Sequence, residues 1–453
     1  MVTKINTRVV IVRHGLSTYN SQQRIQGRCD ESTLTDQGLE QANILGQTIS
    51  KANFAAIYCS PLQRAKLTAE IIQSKLEKTL PLNISELLME IDLPLWEGLQ
   101  KAEVKQKYPE EYAKWKAQPD KFSMTVTKDG QTVEHFPVLA LGKQAIEFWQ
   151  EVLAKHQGET ILVVAHNGIN RALLTSALGM NPARYQHIQQ SNCAVNVLNF
   201  TTGWGGAVQL ESLNQTVHLG EVAPTPREGQ RGLRLLLVRH GETDWNRETR
   251  FQGQIDVPLN DNGRLQSQRA TSLLENVPID FAITSSMLRP KETAEIILHK
   301  HPQVNLQLEP QLKEINHGLW EGKLEAEIAD DYAAELETWR SHPELVQMPE
   351  GENLQDVWSR AIAAWNKIVA QVEIRDDRLT TGLVVAHDAV NKVILCHLMG
   401  LTPADFWKIK QGNGAVSIID YPRGQEGICV LQSVNITSHL SGSIFDQTAA
   451  GAL

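Results

Sequence analysis

Short apolar runs recur along the chain, and each ends abruptly in polar residues. Val9-Val10-Ile11-Val12 leads into Arg13-His14-Gly15, and Leu235-Leu236-Leu237-Val238 leads into Arg239-His240-Gly241. Aliphatic and β-branched stretches this short predict strands buried on both faces, as in parallel sheets. Their carboxyl ends are where open α/β sheets place ligands. Glycine is expected at each tip to turn the chain.

Between these tips, strand and helix patterns alternate. A helix is predicted to open at Thr35, a suitable N-cap, with Leu39, Ala42, Leu45 and Ile49 behind it at helical spacing. The pattern then predicts a strand over 55–59, a helix over 64–76, a strand over 80–84 and helices over 102–116 and 142–156. A strand over 160–165 ends at His166, followed by a helix over 170–178 and a closing strand over 194–200. Alternation of this kind implies a largely parallel sheet covered on both faces.

The whole pattern occurs twice. Arg13 and Arg239 are 226 positions apart (239 − 13), and Arg64 and Arg289 are 225 apart (289 − 64). Ser60-Pro61-Leu62-Gln63-Arg64 is matched to Ser286-Met287-Leu288-Arg289 with a one-residue slip. Glu90-Ile91 ahead of Trp96-Glu97-Gly98 is answered by Glu314-Ile315 ahead of Trp320-Glu321-Gly322, and Val163-Val164-Ala165-His166 by Val384-Val385-Ala386-His387. Spacings this steady mark a duplicated domain, not a solenoid repeat. The expected architecture is two tandem three-layer α/β/α domains, each with a mostly parallel central sheet. The expected boundaries are 1–214, a Pro- and Gly-containing linker over 215–232, 233–440, and a loose small-residue tail over 441–453.

Composition narrows the function classes. Of 453 residues, 42% are hydrophobic and 21% charged, ordinary values for a soluble globular chain. No apolar run reaches the roughly 20 residues that span a bilayer. The strand pattern begins within a few residues of Met1, leaving no room for a targeting peptide, so the expected location is cytoplasmic. Five cysteines show neither metal spacing nor an even disulfide framework and are expected to be reduced. A formal charge of −9 argues against nucleic-acid or anionic membrane partners. Any anionic substrate, a small phosphorylated metabolite being the partner expected from the strand-end residues, must be drawn in by local arginines.

The polar residues at the strand ends form one set per unit: Arg13, His14, Arg64, Glu90 and His166, then Arg239, His240, Arg289, Glu314 and His387. Two guanidinium forks and two imidazoles suit a phosphate dianion. A histidine kept neutral by neighbouring arginines can attack phosphorus. Positioned cations stabilise the charge that spreads over the transferring oxygens. A glutamic acid, Glu90 or Glu314, protonates the leaving alkoxide and later deprotonates water. Zinc is the competing use of two histidines and a glutamate, but its ligands do not need flanking arginines, which would repel it. No metal and no other cofactor is expected. Glu97 and Glu321 share the repeated frame and read as structural.

Taken together, Arg-His-Gly, the arginine in Ser-Pro-Leu-Gln-Arg-Ala, Glu-Ile ahead of Trp-Glu-Gly and Val-Ala-His resemble the histidine phosphatase superfamily. That superfamily contains phosphoglycerate mutases, fructose-2,6-bisphosphatases and broad phosphatases. The resemblance covers nearly the whole chain twice. It implies a phosphohistidine on His14 and on His240. It further implies substrate-pocket roles for Asn20 and Asn246, for the pairs Gln26-Gly27 and Gln252-Gly253, and for the chain after each late histidine, at Asn167 and Asp388. Arg24-Ile25-Gln26-Gly27, Glu90-Ile91-Asp92-Leu93 and Gln190-Ser191-Asn192-Cys193 also resemble the tandem plant 2-carboxy-D-arabinitol-1-phosphatase family, which implies a sugar-phosphate substrate.

The two units are not identical. Unit two reads Gly241-Glu242-Thr243-Asp244-Trp245-Asn246 and later Pro349-Glu350-Gly351-Glu352-Asn353, where unit one has Leu16-Ser17-Thr18-Tyr19-Asn20 and Phe136-Pro137-Val138-Leu139-Ala140. Both sites are expected to be competent, with different substrates or rates. Lys101, eleven residues after Glu90 (101 − 90), stands where the mutases resembled here carry a lysine, while the matching residue of unit two is Glu325. Phosphoglycerate mutase is therefore the alternative activity, and a non-catalytic phospho-ligand binding module is a third reading.

Overall fold

The computed structural model describes residues 6–128, 130–222, 224, 231–425 and 428–445. The chain divides into two compact units, Met1–Glu221 and Val222–Leu453. Strands of unit one are β1 (Thr7–Arg13), β2 (Ala56–Cys59), β3 (Leu82–Ile84), β4 (Met124–Lys128), β5 (Gln131–His135), β6 (Thr160–Ala165), β7 (Val195–Phe200) and β8 (Val208–Gln215). Its helices are α1 (Thr18–Ser21), α2 (Asp36–Thr48), α3 (Gln63–Gln73), α4 (Lys101–Lys107), α5 (Pro109–Ala117), α6 (Pro137–Lys155) and α7 (Asn167–Leu178). Unit two contains strands β9 (Leu233–Arg239), β10 (Phe281–Thr284), β11 (Leu306–Leu308), β12 (Thr380–Ala386), β13 (Val416–Gln425) and β14 (Val430–Ile436). Its helices are α8 (Asp244–Arg247), α9 (Asp261–Leu274), α10 (Leu288–Leu298), α11 (Glu325–Ser341), α12 (Leu354–Gln371), α13 (Asp388–Met399) and α14 (Ser438–Ser441).

Within unit one the strands run in the order β8-β7-β1-β6-β2-β3. The pairs β1–β6, β6–β2 and β2–β3 are parallel, while β7 returns antiparallel to β1, and β8 to β7. Unit two repeats this as β11-β10-β12-β9-β13-β14, with its first four strands parallel. Parallel strands need both faces covered. Val9, Val10, Ile11 and Val12 are accordingly at most 1% exposed, and every residue of Leu233–Arg239 is buried. No helix among the described residues is long and apolar enough to cross a membrane.

Several expectations are corrected in detail. The helix expected over 102–116 is two helices, because Pro109 lacks an N–H and breaks the ladder after Tyr108. The helix expected from 142 opens five residues earlier, at Pro137. The strand ending at Phe200 does not close the unit: β8 follows it and runs to Gln215, into the segment expected to be a linker. Residues 223 and 225–230 of that segment, and 446–453 of the expected tail, lie outside the described residues. The antiparallel hairpin of β4 and β5 in unit one is a further addition.

Gly15 does not turn the chain through a left-handed backbone. It lets two segments touch: a Cβ there would stand 2.3 Å from the Gly38 carbonyl oxygen, and Gly241 meets Gly263 in the same way. The contact clamps the start of α2, or of α9, against the strand tip. Thr35 and Asn260 cap those helices by accepting from the amides of Gly38 and Gly263 at 3.1 and 2.8 Å.

Candidate active site

Three adjacent parallel strands end together in each unit, and the residue after each end carries chemistry. His14 follows β1 and donates its backbone N–H to Ala165 of β6 at 2.9 Å, while Ser60 follows β2 and donates to Val164 at 3.1 Å. His166 follows β6. Sheet register therefore brings His14 and His166 together, with ring centroids 5.2 Å apart, and His240 and His387 at the same 5.2 Å.

Each early histidine is held in one tautomer. Nδ1 of His14 lies 2.7 Å from the Gly15 carbonyl oxygen, and Nδ1 of His240 lies 2.7 Å from that of Gly241. A carbonyl only accepts, so Nδ1 carries the proton and Nε2 keeps its lone pair. Burial, reinforced by Arg13 and Arg64, holds the His14 pKa well below its ordinary value; burial with Arg289 and Arg239 does the same to His240. Both are therefore neutral at pH 7. The late histidines are also held well below, by burial and by the neighbouring arginines and histidines. Their Nε2 atoms sit 2.8 Å from Ser60 Oγ and 2.9 Å from Ser285 Oγ. The pairing corrects the match made from sequence. Ser285, not Ser286, is the counterpart of Ser60, so no slip separates the two segments.

The arginines are aimed by carbonyl groups. Arg64 donates to Gly27 and Cys29 at 2.9 Å each, and Arg289 donates to Gly253 at 2.8 Å. The Gln-Gly loops thus reach the site through their carbonyls. Gly27 takes φ +51°, and a Cβ there would meet the Glu97 carboxylate, which accepts from the Arg28 amide. Glu321 holds the matching loop through the amides of Gln254 and Ile255 at 2.7 and 2.8 Å, so these two glutamates are loop anchors. Arg13 donates to Gln190 O at 2.8 Å and to Asn20 Oδ1 at 3.1 Å. Arg239 donates to Gln411 O at 2.6 Å and lies 3.2 Å from Asp388. Gln26 accepts from Ser17 Oγ at 2.9 Å, and Gln252 from Thr243 Oγ1 at 3.1 Å.

Glu90 accepts three backbone N–H groups: Ile91 at 2.8 Å, Gly168 at 3.0 Å and Ile169 at 3.1 Å. Two of these are first-turn amides of α7, so that part of the chain after His166 faces the glutamate. The Asn167 side chain donates to Gln190 O at 3.1 Å. Glu314 accepts from Ile315 at 3.0 Å and, more loosely, from Ala389 at 3.3 Å. Its pKa is raised by burial and then by the nearby Asp388 carboxylate. A carboxyl that keeps its proton is suited to donating it.

Other contributors carry no strand-end signal. Asn192 donates to the His14 carbonyl at 2.9 Å and to Asn20 Oδ1 at 3.3 Å, and Asn413 to the His240 carbonyl at 3.3 Å and to Asn246 Oδ1 at 3.0 Å. Thr68 accepts from the Gly15 amide at 3.1 Å and donates to Arg64 O at 2.7 Å, with Thr293 repeating the link. Glu352 lies in the stretch peculiar to unit two. It accepts from the Asn316 amide at 2.9 Å and binds Arg360, which donates to Glu314 O at 2.9 Å. Only their recurrence beside the same motifs in both halves could have pointed to Asn192 and Thr68.

Both halves of the chain are similar to known proteins. The profile of the histidine phosphatase superfamily (branch 1) matches residues 9–215 and again 235–437. A 2-carboxy-D-arabinitol-1-phosphatase of Triticum aestivum is 32% identical over 96% of this chain and 86% of its own length. Phosphoserine phosphatase 1 of Hydrogenobacter thermophilus is 30% identical over 47% of this chain and 95% of its own. Among solved structures, Bacillus stearothermophilus YhfR is 31% identical and matches 46% of this chain and all of its own at a TM-score of 0.43. With the superfamily profile met by both halves, the chain belongs to the histidine phosphatase superfamily.

Proposed function

We propose that each unit is a metal-independent phosphomonoesterase for small phosphorylated metabolites, sugar phosphates foremost, working through a phosphohistidine. One observation carries the reading: in both units a buried neutral histidine, its Nδ1 tied to a carbonyl, keeps the Nε2 lone pair beside a second histidine and two arginines, and in unit two Arg289 donates to that Nε2. The Nε2 lone pair of His14 or His240 attacks phosphorus. The P–O ester bond breaks, and the leaving alkoxide takes the proton of Glu90 or Glu314. Water then attacks the phosphohistidine, giving its proton to the same glutamate, and the P–N bond breaks to release phosphate. The two arginines and the late histidine donate to the equatorial oxygens throughout.

Similarity to the wheat protein over 96% of the chain supports the sugar-phosphate class. Hydrolysis is favoured over mutase chemistry in unit two because Glu325 stands at the position matching Lys101, where a carboxylate would repel a second anionic group. A cytoplasmic location is supported by five cysteines that are all free. The net charge of −9 supports a partner set without nucleic acid.

The test is to trap the intermediate. Quenching the full chain during turnover of a phosphorus-32 sugar phosphate should leave acid-labile, base-stable label on protein. His14→Ala and His240→Ala should each remove part of it, and the double variant all of it. Full labelling of the double variant would refute the assignment.

A further inference from the structure

One difference between the two sites is a buried carboxylate directly after the late histidine. Asp388 directly follows His387 and is 1% exposed. Its oxygens lie 3.2 Å from Arg239 Nη1 and 2.7 Å from Lys392 Nζ. Lys392 is buried too, with its ammonium 4.8 Å from the ring centre of Phe406 and 4.7 Å from that of Trp407. Unit one places Asn167 and Arg171 at these two positions (388 − 167 = 392 − 171 = 221). Its cations meet neutral oxygens: Arg13 donates to Gln190 O and Asn20 Oδ1, and Arg171 to Gln186 Oε1 at 3.3 Å. Burial first, then the charges of Arg171 and Arg64, bring Arg13 down to about 10 against the opposing pull of Glu90. It stays protonated at pH 7, with the amide of Asn167 and no carboxylate in the place Asp388 takes in unit two.

We propose that Asp388 makes the second site select phosphomonoesters with an uncharged remainder, while the first site, with Asn167 in its place, takes esters carrying a second anionic group such as a carboxylate. The inference rests on reading both units as phosphoryl-transfer sites. A carboxylate within 3.2 Å of Arg239 offsets one positive charge beside the phosphate. The electrostatic penalty of that offset scales with the charge of the ligand. A trianionic ester therefore loses more binding at the second site than a dianionic one. A purely structural Asp388, pinning α13 to β9, would alter stability and leave substrate preference alone.

A matched pair of probes separates these cases: 3-phosphoglycerate and glycerol 3-phosphate, which differ by a carboxylate in place of a hydroxymethyl group. His14→Ala isolates the second site and His240→Ala the first. The ratio of kcat/KM for the two probes should be at least about tenfold higher at the first site. Adding Asp388→Asn to His14→Ala should raise the ratio about tenfold, and adding Asn167→Asp to His240→Ala should lower it about as much. Hydrolysis of both probes with ratios unmoved by either exchange overturns the proposal. Asp388→Asn leaves Lys392 short of a partner, so its fold is checked by melting; if unit two fails to fold, Asn167→Asp decides alone. Calorimetric binding of both probes to the double variant His14→Ala/His240→Ala, with and without each exchange, keeps the proposal separate from catalysis. A shifted binding preference without hydrolysis in any active form sustains it and refutes the phosphatase reading. An unshifted preference refutes it whatever the hydrolysis shows.

Discussion

Arg289 donates its Nε–H to Nε2 of His240 at 3.2 Å. The arginine thus touches the lone pair proposed as nucleophile and must give that contact up when phosphorus arrives. At its other end it donates to the Gly253 carbonyl at 2.8 Å, so the fork is anchored while its Nε edge stays directed into the site. Lysine keeps the charge and loses the fork. In the His14→Ala background, Arg289→Lys should lower kcat/KM by roughly 10²–10³, the effect of losing one oriented donor at the transferring group. Steady-state phosphate release measures it. A loss below about threefold would show that charge alone suffices.

Glu314 should impose leaving-group dependence on the second site. An alkoxide needs a proton as it departs, whereas a nitrophenolate leaves unaided. Glu314→Gln should slow sugar phosphate hydrolysis by roughly 10²–10⁴ and p-nitrophenyl phosphate far less. Its pKa is raised, with burial the larger cause and Asp388 the next. The acid form therefore persists to higher pH, and turnover should fall as pH rises through that pKa. Asp388→Asn removes one of the two causes and should move this alkaline limb to lower pH. A pH profile of kcat/KM in the His14→Ala background reads both effects.

Acid should unfold the protein through its buried histidines. His14, His166, His240 and His387 are all held well below the ordinary value, chiefly by burial, and burial alone brings His317 to about 3. Each is neutral when folded and becomes protonated when unfolded below a pH of about 6.5. The unfolded state then binds more protons, so this stability is present above pH ~6.5 and is lost as pH falls below it. Each group contributes up to about 1.4 kcal/mol per pH unit in that window. Urea midpoints should drop steeply between pH 6.5 and 5 and stay nearly level between 7 and 8. His317→Phe, on a buried ring that packs edge-on against Phe251 and Trp339, should flatten part of that slope.

The central strands were legible because a parallel strand covered on both faces must be continuously apolar, as Val9–Val12 is. Their tips were legible because arginine and histidine after such a run have few other uses, and the second copy removed coincidence. β8 shows neither an apolar run nor a clean alternation, because buried polar residues interrupt it: Glu211 and Asn214 serve Arg8 and Ser191, and its register against β7 shifts. The β4–β5 hairpin was hidden similarly, since β5 is mostly exposed. The contacts of Ser60, Thr68 and Asn192 join segments 53 to 178 residues apart. Local pattern carries no trace of such pairs. Gly15 is the subtler case. Glycine was expected, but its reason is the touching backbone of Gly38, a tertiary fact.

Gly168 and Ala389 occupy the same position after the late histidine of each unit (389 − 168 = 221), and the difference bears on the proton donor. A Cβ at Gly168 would stand 2.3 Å from Glu90 Oε1 and 2.7 Å from the Tyr185 hydroxyl. Unit two accommodates its alanine with Phe406 in place of that tyrosine and with a looser amide contact to its glutamate, 3.3 Å against 3.0 Å. Gly168→Ala must therefore push the Glu90 carboxylate off the first turn of α7. In the His240→Ala background it should lower sugar phosphate turnover by roughly 10² or more, the scale of a misplaced proton donor. The stability cost should be about 1–3 kcal/mol, as for other overpacked positions. Adding Tyr185→Phe gives the methyl the room it has in unit two and should recover part of the turnover. Undiminished turnover in the single variant would mean that Glu90 works from a position other than the one its three amides define.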